Sequence, residues 1–345
     1  MRNAILSGGG TGGHLFAAIA FAEFLKKNGI NPIIVGSEYG IEKKILKNYR
    51  FDYFLLKTKG VAGKRLTDKI EGTLLILKST ADSFKIIKKT NPIFSLGFGG
   101  YASFPVIVAS RIAGVRTGIL EQNSIPGKSN RILSKLCDIT FLNFEITKQY
   151  MDGVVVGNPT RIKPVKPLRE PKSPFTIGVI GGSRGARSIN NAMIELSKHD
   201  LDVDIIHQTG EEDFERVKES YRVHRKSWKV ERFIYNMEEF YGKIDFIICR
   251  AGASTLSEIA CSGLGSILIP YPYAIYNHQY FNAKYFYDNE AAYLIEDRDL
   301  TGKKLFSIIS SLTADKLKEM SKNAWKLCRQ DSCEKMLKLL LKVNG

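Results

Sequence analysis

Residues 4–14 read AILSGGGTGGH, and residues 177–187 read IGVIGGSRGAR. Each stretch is a short apolar run that ends in a glycine-rich turn, and a helix-like pattern follows at 15–27 and at 188–197. A strand, a glycine turn and a helix in this order point free backbone N–H groups at an anion, and glycine lets the ligand approach closely. Because the pattern occurs once in each half, the sequence predicts two similar α/β domains whose anion-binding loops face each other across a cleft.

Short apolar runs alternate with helical patterns through the first half of the chain. The runs that we predict to be strands lie at 4–6, 32–35, 53–56, 93–96, 117–120, 139–142 and 153–156. Helical patterns between them include 41–47 and 104–113. This alternation is typical of βαβ units and predicts a parallel sheet covered by helices on both faces.

A stretch rich in proline and lysine at 163–174 separates the two halves, and it is the predicted linker. The alternation restarts at Thr176. Further strands are predicted near 203–208, 228–232, 246–249 and 266–269, and a helix at 317–341 with a break near Asp331. The predicted fold class is therefore α/β, with two Rossmann-like domains at residues 1–158 and 159–327 built on parallel sheets.

The chain is strongly basic. Lysine and arginine number 51 against 35 aspartate and glutamate, a formal net charge of +16 over 345 residues. Such a charge suits nucleic acid, an anionic membrane surface or phosphorylated substrates, or it reflects a general enrichment in lysine. Because the sequence has no arginine-rich arm, RNP motif or zinc knuckle, we do not expect a nucleic-acid partner.

The five cysteines show no CxxC pair and no interleaved histidines. We expect them to be reduced thiols of a cytoplasmic protein, with neither a zinc site nor a disulfide framework. The first predicted strand begins at Ala4, which leaves no room for a signal peptide. No apolar run reaches the ~18–20 residues of a membrane span.

The first glycine loop differs from two common nucleotide-binding patterns. Residues 8–13 fit the letters GxGxxG, but extra glycines at positions 9 and 12 make the loop denser than a regular dinucleotide-binding fingerprint, which disfavours an oxidoreductase. It is not a Walker A loop, because no Gly-Lys-Ser/Thr follows. Its dense glycines allow a group as large as a diphosphate to lie on the backbone. His14 stands where the helix begins, so its imidazole is a candidate general base for a hydroxyl. Contact with phosphate, or capping of the helix, is the alternative.

Two further motifs follow predicted strands of the first half. They are GFGGYASFP at 97–105 and EQNSIPG at 121–127. Ligands of open α/β sheets bind at the carboxyl ends of the strands. Each motif alone is compatible with a tight turn, but three such loops together predict a ligand-binding rim.

In the second half, RAGASTLSE at 250–258 leaves a predicted strand and enters a helix that Ser254 or Thr255 can cap. Glu258 can accept hydrogen bonds from both hydroxyls of a ribose, or it can belong to a capping box. NHQYFNA follows at 277–283, and its amides suit the hydroxyls and acetamido group of a sugar.

The order of these motifs resembles that of the UDP-N-acetylglucosamine:lipid I N-acetylglucosaminyltransferases of peptidoglycan synthesis, which are two-domain glycosyltransferases of the GT-B fold. The resemblance spans almost the whole chain, from GGGTGGH at 8–14 through GNPTR at 157–161 to NHQYFNA. Family members usually carry a proline shortly after the loop histidine, where this chain has Phe16-Ala17, and many have a histidine where this chain has Leu120. Both departures concern the acceptor side.

The resemblance implies an inverting transfer of GlcNAc from UDP-GlcNAc to the C4 hydroxyl of MurNAc in lipid I, which forms lipid II. The alternative is another GT-B enzyme that uses a UDP-sugar, such as a glycolipid synthase or a nucleotide-sugar epimerase. Such an enzyme would share the donor motifs, but not the pair at 97–105 and 121–127.

Site roles follow from the resemblance position by position. His14 is the candidate base. The donor-binding residues that it implies are Thr11, Gly12, Gly13, Asn123, Arg161, Ser183, Ile234, Ala253, Ser254, Thr255, Leu256, Ser257, Glu258 and Gln279. The expected acceptor-binding residues are Gly99, Gly100, Tyr101 and Gln122. Within the donor set, the Ile234 backbone is expected to read the uracil edge, Glu258 the ribose hydroxyls and Gln279 the GlcNAc.

The same resemblance implies no metal cofactor, because GT-B enzymes stabilise the leaving diphosphate with helix N-termini and basic groups. The resemblance implies that the first domain binds the acceptor and associates with the membrane, and that the second domain binds UDP-GlcNAc. It also implies that a C-terminal helix at about 328–345 packs on the first domain. We expect a peripheral protein at the cytoplasmic face of the membrane. Its expected partners are UDP-GlcNAc, lipid I, an anionic membrane surface and other proteins of cell-wall synthesis or division.

The stretch 66–89 is a candidate for membrane contact. Its helical spacing predicts a stripe that packs on the domain, made of Ile70, Leu74, Leu77, Ala81 and Phe84. Further apolar side chains lie beside lysines in this stretch: Leu75, Ile76 and Ile87, with Lys78, Lys85, Lys88 and Lys89. Apolar and basic residues together favour an anionic leaflet, and a broadly buried helix with a solvated lysine edge is the alternative.

Overall fold

A computed structural model of the protein describes residues 2–9, 12–40, 42–58, 66–163, 170–171, 173–224 and 227–342, with the backbone alone at 66–71 and 73. The chain forms two compact units. Unit 1 is Met1–Arg161 with Asp331–Gly345, and unit 2 is Ile162–Gln330.

Strands and helices alternate along the chain. The strands are β1 Arg2–Ser7, β2 Ile30–Ser37, β3 Asp52–Leu56, β4 Pro92–Gly97, β5 Arg116–Glu121, β6 Ile139–Leu142, β7 Val154–Val155, β8 Phe175–Ile180, β9 Val203–Gln208, β10 Lys229–Glu231, β11 Phe246–Cys249, β12 Gly265–Leu268 and β13 Ala292–Leu294. The α-helices are α1 Gly12–Lys27, α2 Glu42–Leu46, α3 Leu66–Thr90, α4 Ser103–Ile112, α5 Lys128–Leu133, α6 Arg187–Leu196, α7 Phe214–His224, α8 Met237–Lys243, α9 Ala253–Ser262, α10 His278–Asp288, α11 Gly302–Ser310, α12 Ala314–Lys326 and α13 Ser332–Leu341. Three 3₁₀ helices are also described, at Glu145–Gln149, Ile275–Asn277 and Asp297–Asp299.

Each unit is built on one parallel sheet. Across the described residues, the sheet of unit 1 has the order β3-β2-β1-β4-β5-β6-β7, and that of unit 2 has the order β10-β9-β8-β11-β12-β13. The first strand of each unit lies inside its sheet, between the second strand and the fourth, so the strand order reverses beside it. Loops that leave such a reversal point are where open α/β sheets bind ligands. The predicted class of two parallel-sheet Rossmann-like domains is confirmed.

Most predicted elements coincide with observed ones because their signals are local. The strands predicted at 139–142, 203–208 and 246–249 match β6, β9 and β11, and the predicted helix break separates α12 from α13. The prediction missed β13, which has three residues and lies at the edge of its sheet. A strand of that length shows no alternation that a sequence pattern can reveal.

Alternate residues of β1 point to opposite faces of the sheet of unit 1. Leu6 joins the core under α1, and the same core contains Met336 and Leu340 of α13. Ile5 joins the core on the other face, which includes Ile87 of α3 and residues of α4. The last helix of the chain therefore packs into the core of unit 1.

Helix α3 does not pack on the domain through the apolar stripe that the sequence predicted. Leu74 and Leu77 are 61% and 62% exposed, whereas Ser79, Ser83 and Ile87 are buried. The two serine hydroxyls bond to backbone carbonyls, that of Ser79 to Lys57 at 3.3 Å and that of Ser83 to Ser79 itself at 2.7 Å. Small residues let the helix approach the domain closely, and hydropathy alone does not mark such a face. The broadly buried alternative is also wrong; the side chain of Ile70 lies outside the described residues.

The expectation that all cysteines are reduced is wrong for one pair. Cys261 of α9 and Cys328, just beyond α12, form a disulfide with 4.8 Å between their Cα atoms. The two are 67 residues apart, so no local spacing marks them, and the packing of α12 against α9 brings them together. Cys137, Cys249 and Cys333 are free thiols.

Candidate functional site

In unit 1, the first two glycine motifs lie in direct backbone contact. Gly100 has a φ of +79°, and a Cβ there would meet the carbonyl oxygen of Gly9 at 1.8 Å. Gly99 has a φ of +96°, and its Cβ would lie 3.0 Å from Nε2 of His14. These positions therefore need glycine for both conformation and space. The candidate base His14, the third residue of α1, lies against the turn that follows β4.

Ser103 stabilises the contact between these two motifs through hydrogen bonds. It was not among the site residues that the sequence predicted. Its hydroxyl accepts the N–H of Gly99 at 3.0 Å and is 2.8 Å from the carbonyl oxygen of Ser7. The end of β1 is thereby tied to the turn after β4. Ser7 and Ser103 are 96 residues apart, so no local pattern could reveal the contact.

The EQNSIPG loop is organised around the buried carboxylate of Glu121. It accepts the backbone N–H of Asn123 at 2.9 Å, that of Gly127 at 3.1 Å and the side-chain N–H of Asn130 at 2.8 Å. Burial raises the pKa of the Glu121 carboxyl, and these hydrogen bonds oppose the rise. Glu121 therefore shapes the loop from inside.

The remaining predicted residues of unit 1 differ in exposure. Gln122 is buried, and its amide donates to the carbonyl of Phe98 at 3.4 Å, which joins two motifs. Tyr101 is exposed. The guanidinium carbon of Arg161 lies 4.0 Å from the ring centre of Phe16, a cation–π contact. Gly12 and Gly13 open α1, and Thr11 lies outside the described residues.

In unit 2, one amide joins two loops that were predicted to bind the donor. The side-chain N–H of Gln208 donates to the carbonyl of Gly182 at 2.9 Å, and its Oε1 accepts the backbone N–H of Ile234 at 2.7 Å. Gln208 is buried at the end of β9, while Ser183 beside Gly182 is exposed. The loop around Ser183 and the segment around Ile234 are therefore brought together by a residue that the sequence prediction missed.

Helix α9 carries the motif 253–258 in its first two turns. Its N-cap is Gly252, so the prediction that Ser254 or Thr255 caps the helix is wrong: both lie inside its first turn. A capping box places its glutamate at the third helical position, which is Thr255, so that alternative for Glu258 is also wrong. Glu258 is buried, and its Oε2 accepts the hydroxyl of Tyr241 at 3.0 Å. Leu256 is fully buried in the core.

Gln279 is held by the loop that precedes it. Its Oε1 accepts the backbone N–H of Tyr271 at 2.9 Å. Arg250 supports the same loop, because its guanidinium donates to the carbonyl of Pro270 at 3.1 Å and to Asp297 at 2.5 Å. Arg250 thus has a structural role at the start of its motif.

No metal centre is evident in the described part of the chain, where no group of three or more His, Cys, Asp or Glu could hold an ion. The described helices likewise include none that is long and apolar enough to cross a bilayer.

Both halves of the chain match family models. Residues 4–142 match the glycosyltransferase family 28 N-terminal domain, and residues 176–336 match the glycosyltransferase family 28 C-terminal domain. The two matches agree with the two Rossmann-like units, whose glycine-rich loops follow the carboxyl ends of strands. The protein is therefore a glycosyltransferase of family 28.

Individual relatives narrow the class. A UDP-N-acetylglucosamine–N-acetylmuramyl-(pentapeptide) pyrophosphoryl-undecaprenol N-acetylglucosamine transferase of Syntrophus aciditrophicus is 40% identical over 97% of this chain and 99% of its own length. The transferase of the same name from a Geobacter species is 37% identical over 99% and 96%. The crystal structure of Acinetobacter baumannii MurG is 28% identical, with a TM-score of 0.84 over 99% of this chain and 100% of its own. The chain belongs to this family of N-acetylglucosamine transferases, the MurG family.

Proposed function

We propose that this protein transfers GlcNAc from UDP-GlcNAc to the C4 hydroxyl of MurNAc in lipid I, forming lipid II for cell-wall assembly. The observation that carries the proposal is the 40% identity to a transferase of that name over 97% of the chain. The reaction is a single displacement at the anomeric carbon: the hydroxyl oxygen forms the new bond, its proton passes to a base, and UDP leaves with the bonding electrons. One displacement inverts the α-linked donor to a β-linked product.

His14 is the proposed base. Its position against Gly99 supports this role, because the glycine turn leaves the imidazole beside a backbone that a substrate can approach closely. We assign the acceptor to the same cluster, with Gly99, Gly100, Tyr101 and Gln122 as its contacts. The buried amide of Gln122 would act by fixing the turn, while the exposed ring of Tyr101 would touch the acceptor directly.

Unit 2 is the proposed site of the UDP moiety. The N-terminus of α9, whose N-cap is Gly252, and the exposed Ser183 loop would hold the diphosphate. Ile234 would read uracil, Glu258 the ribose and Gln279 the GlcNAc. Further donor contacts are assigned to Arg161, Asn123 and the start of α1, including Thr11, Gly12 and Gly13.

The proposed reaction needs no metal ion. Departure of UDP builds negative charge on the diphosphate, and helix N-termini with oriented backbone N–H groups stabilise such charge without reorganising. Glu258 lies in the second turn of α9, close to the start of the helix, so the two groups can act on the same nucleotide.

We place the protein on the cytoplasmic face of the membrane, held through α3. Leu74 and Leu77 project from this helix into solvent beside the exposed Lys78, and Lys85 and Lys88 continue the basic edge. Burying the leucines in lipid and placing lysines at anionic headgroups would each favour binding, at about 1 kcal/mol per lysine near the surface.

The first test is transfer of labelled GlcNAc from UDP-GlcNAc to a lipid I analogue in excess EDTA. A β-linked disaccharide product supports the acceptor, the stereochemistry and metal independence together. Donor hydrolysis or epimerisation without transfer would overturn the acceptor assignment, and product that requires added Mg²⁺ would overturn metal independence alone.

A further inference from the structure

Tyr241 contacts Glu258 deep inside unit 2. The tyrosine belongs to α8 and is 4% exposed, and the glutamate belongs to α9 and is 8% exposed. The phenolic oxygen lies 3.0 Å from Oε2 of the carboxylate. The tyrosine hydroxyl donates this hydrogen bond, and Oε2 of the glutamate accepts it.

This bond limits the freedom of a flexible side chain. Glutamate has three rotatable bonds, and a carboxylate that binds two ribose hydroxyls must present its oxygens in one orientation. The phenol is rigid and fixed by burial, and its ring packs beside that of Phe240 with 5.5 Å between the ring centres. A rigid donor on Oε2 therefore sets where the carboxylate points before the nucleotide arrives.

We propose that Tyr241 is a positioning residue for ribose recognition: it holds Glu258 so that the enzyme distinguishes a ribonucleotide from a 2′-deoxyribonucleotide. The inference rests on the proposed role of Glu258 as the ribose ligand. Tyr241 itself touches no substrate in this scheme and acts only through the carboxylate.

The test compares the binding of UDP and 2′-deoxy-UDP by titration calorimetry, which needs neither acceptor nor membrane. Tyr241→Phe keeps the ring and removes the hydroxyl. We expect its affinity for UDP to fall about tenfold and its affinity for 2′-deoxy-UDP to fall less than threefold, so that the preference for ribose shrinks. Equal weakening of both ligands, or no weakening, would overturn the proposal, since a merely structural tyrosine cannot alter their ratio.

Tyr221→Phe is the matched control. Tyr221 is also buried in unit 2, and its hydroxyl bonds to His207 at 2.8 Å rather than to Glu258. This variant should be less stable and should keep the wild-type ratio. If Tyr241→Phe does not fold, Tyr241→Met fills the same space with a flexible apolar chain and also lacks the hydroxyl.

Glu258→Gln separates this proposal from the one on which it rests. If that variant keeps the wild-type ratio of affinities for UDP and 2′-deoxy-UDP, Glu258 does not bind the ribose. The role proposed for Glu258 is then overturned, whatever Tyr241 does. If it lowers the ratio, adding Tyr241→Phe to it should lower the ratio no further, because the tyrosine acts through the carboxylate. A further fall in the double variant would overturn the proposed route through Glu258.

Discussion

Oε1 of Gln208 accepts the backbone N–H of Ile234 at 2.7 Å, and the same amide donates to Gly182. One buried side chain thus ties the segment proposed to read uracil to the loop proposed to hold the diphosphate. Because Gln208 already accepts the N–H of Ile234, the proposed contact with uracil would use the backbone carbonyl oxygen of Ile234, which can accept the N3–H of the nucleobase.

Gln208→Leu should weaken donor binding. Losing both bonds loosens two loops at once, and each buried bond of this kind contributes about 1 kcal/mol. We expect KM for UDP-GlcNAc to rise about tenfold with a smaller change in kcat, since ground state and transition state share the nucleotide contacts. Steady-state kinetics with a lipid I analogue measures both constants, and an unchanged KM would contradict the prediction. In Gln208→Glu the second oxygen faces the carbonyl of Gly182, so KM should rise further.

Glu121→Ala should loosen the EQNSIPG loop, which carries the proposed acceptor contact Gln122 and the proposed donor contact Asn123, while leaving the UDP site proposed in unit 2 intact. The substitution leaves two backbone N–H groups of the EQNSIPG loop and the side-chain N–H of Asn130 in α5 without their carboxylate, at a cost of about 1–3 kcal/mol in stability. We expect the KM for the lipid I analogue to rise at least fivefold. The affinity for UDP in calorimetry is the internal control and should change less than twofold. A variant that loses UDP binding equally would show general unfolding instead of a local loop defect.

His207 should make unit 2 less stable in mild acid. It lies buried between the Tyr221 hydroxyl at 2.8 Å and the Asn190 side chain at 3.0 Å, and burial lowers its pKa to about 3. The unfolded chain binds a proton near pH 6.5 whereas the folded one does not. Burial of neutral His207 therefore does not lower the free energy of unfolding above pH 6.5. As the pH falls from 6.5 toward 3, the free energy of unfolding drops by about 1.4 kcal/mol per pH unit.

Urea unfolding followed by tryptophan fluorescence measures this effect in the right unit, since both tryptophans, Trp228 and Trp325, belong to unit 2. Between pH 6.5 and 5, His207→Gln should show a flatter loss of stability than the wild type. His224→Gln alters an exposed histidine of α7 and should follow the wild type. Equal slopes for wild type and His207→Gln would refute the assignment.

The disulfide should stabilise unit 2 and leave three alkylatable thiols. For a closed loop of 67 residues, chain entropy gives roughly 4 kcal/mol. We expect the Cys261→Ser/Cys328→Ser double variant to unfold at lower urea, while Cys137→Ser, at a free thiol of unit 1, leaves the fluorescence transition unchanged. Denatured, unreduced wild type should take up label at Cys137, Cys249 and Cys333, and five labelled cysteines would show that the bond is absent.

The sequence predicted the features whose signals are local. Glycine turns after apolar runs marked β1, β4 and β8 and the loops that leave them, because turn and strand are neighbours in the chain. Side chains that support the site from a distance were missed. Gln208 is 26 residues from Ile234, and Tyr241 is 17 residues from Glu258. Nothing in the sequence distinguishes a glutamine at a strand end or a tyrosine in a short helix, because their partners come close only in the folded chain.

In helix α3 the sequence predicted the helix correctly but predicted the wrong buried face. Its length and amphipathic character followed from the spacing of apolar residues, which predicted that Leu74 and Leu77 pack on the domain. The structure instead packs Ser79 and Ser83 inward. Serines whose hydroxyls bond to nearby carbonyls are satisfied in a buried interface, so polarity in the sequence did not mean exposure.

The exposed leucines of α3 lead to the last prediction, which concerns membrane binding. Leu77→Glu should reduce binding to vesicles that contain phosphatidylglycerol at least tenfold, since it replaces apolar contact with a charge that anionic headgroups repel. Val223→Glu is a matched control: Val223 of α7 is also 62% exposed, but it belongs to unit 2. That variant should bind as the wild type does.

Charge reversal tests the basic half of the same surface. The double variant Lys78→Glu/Lys85→Glu should weaken binding to anionic vesicles at low salt, and the difference from the wild type should shrink at high salt because ions screen exposed charges. The affinity for UDP should not change, since both lysines lie on α3 of unit 1. If charge reversal left vesicle binding intact while Leu77→Glu abolished it, apolar insertion alone would hold the protein. If neither change mattered, α3 would not be the membrane-binding surface, and its exposed leucines would need another partner.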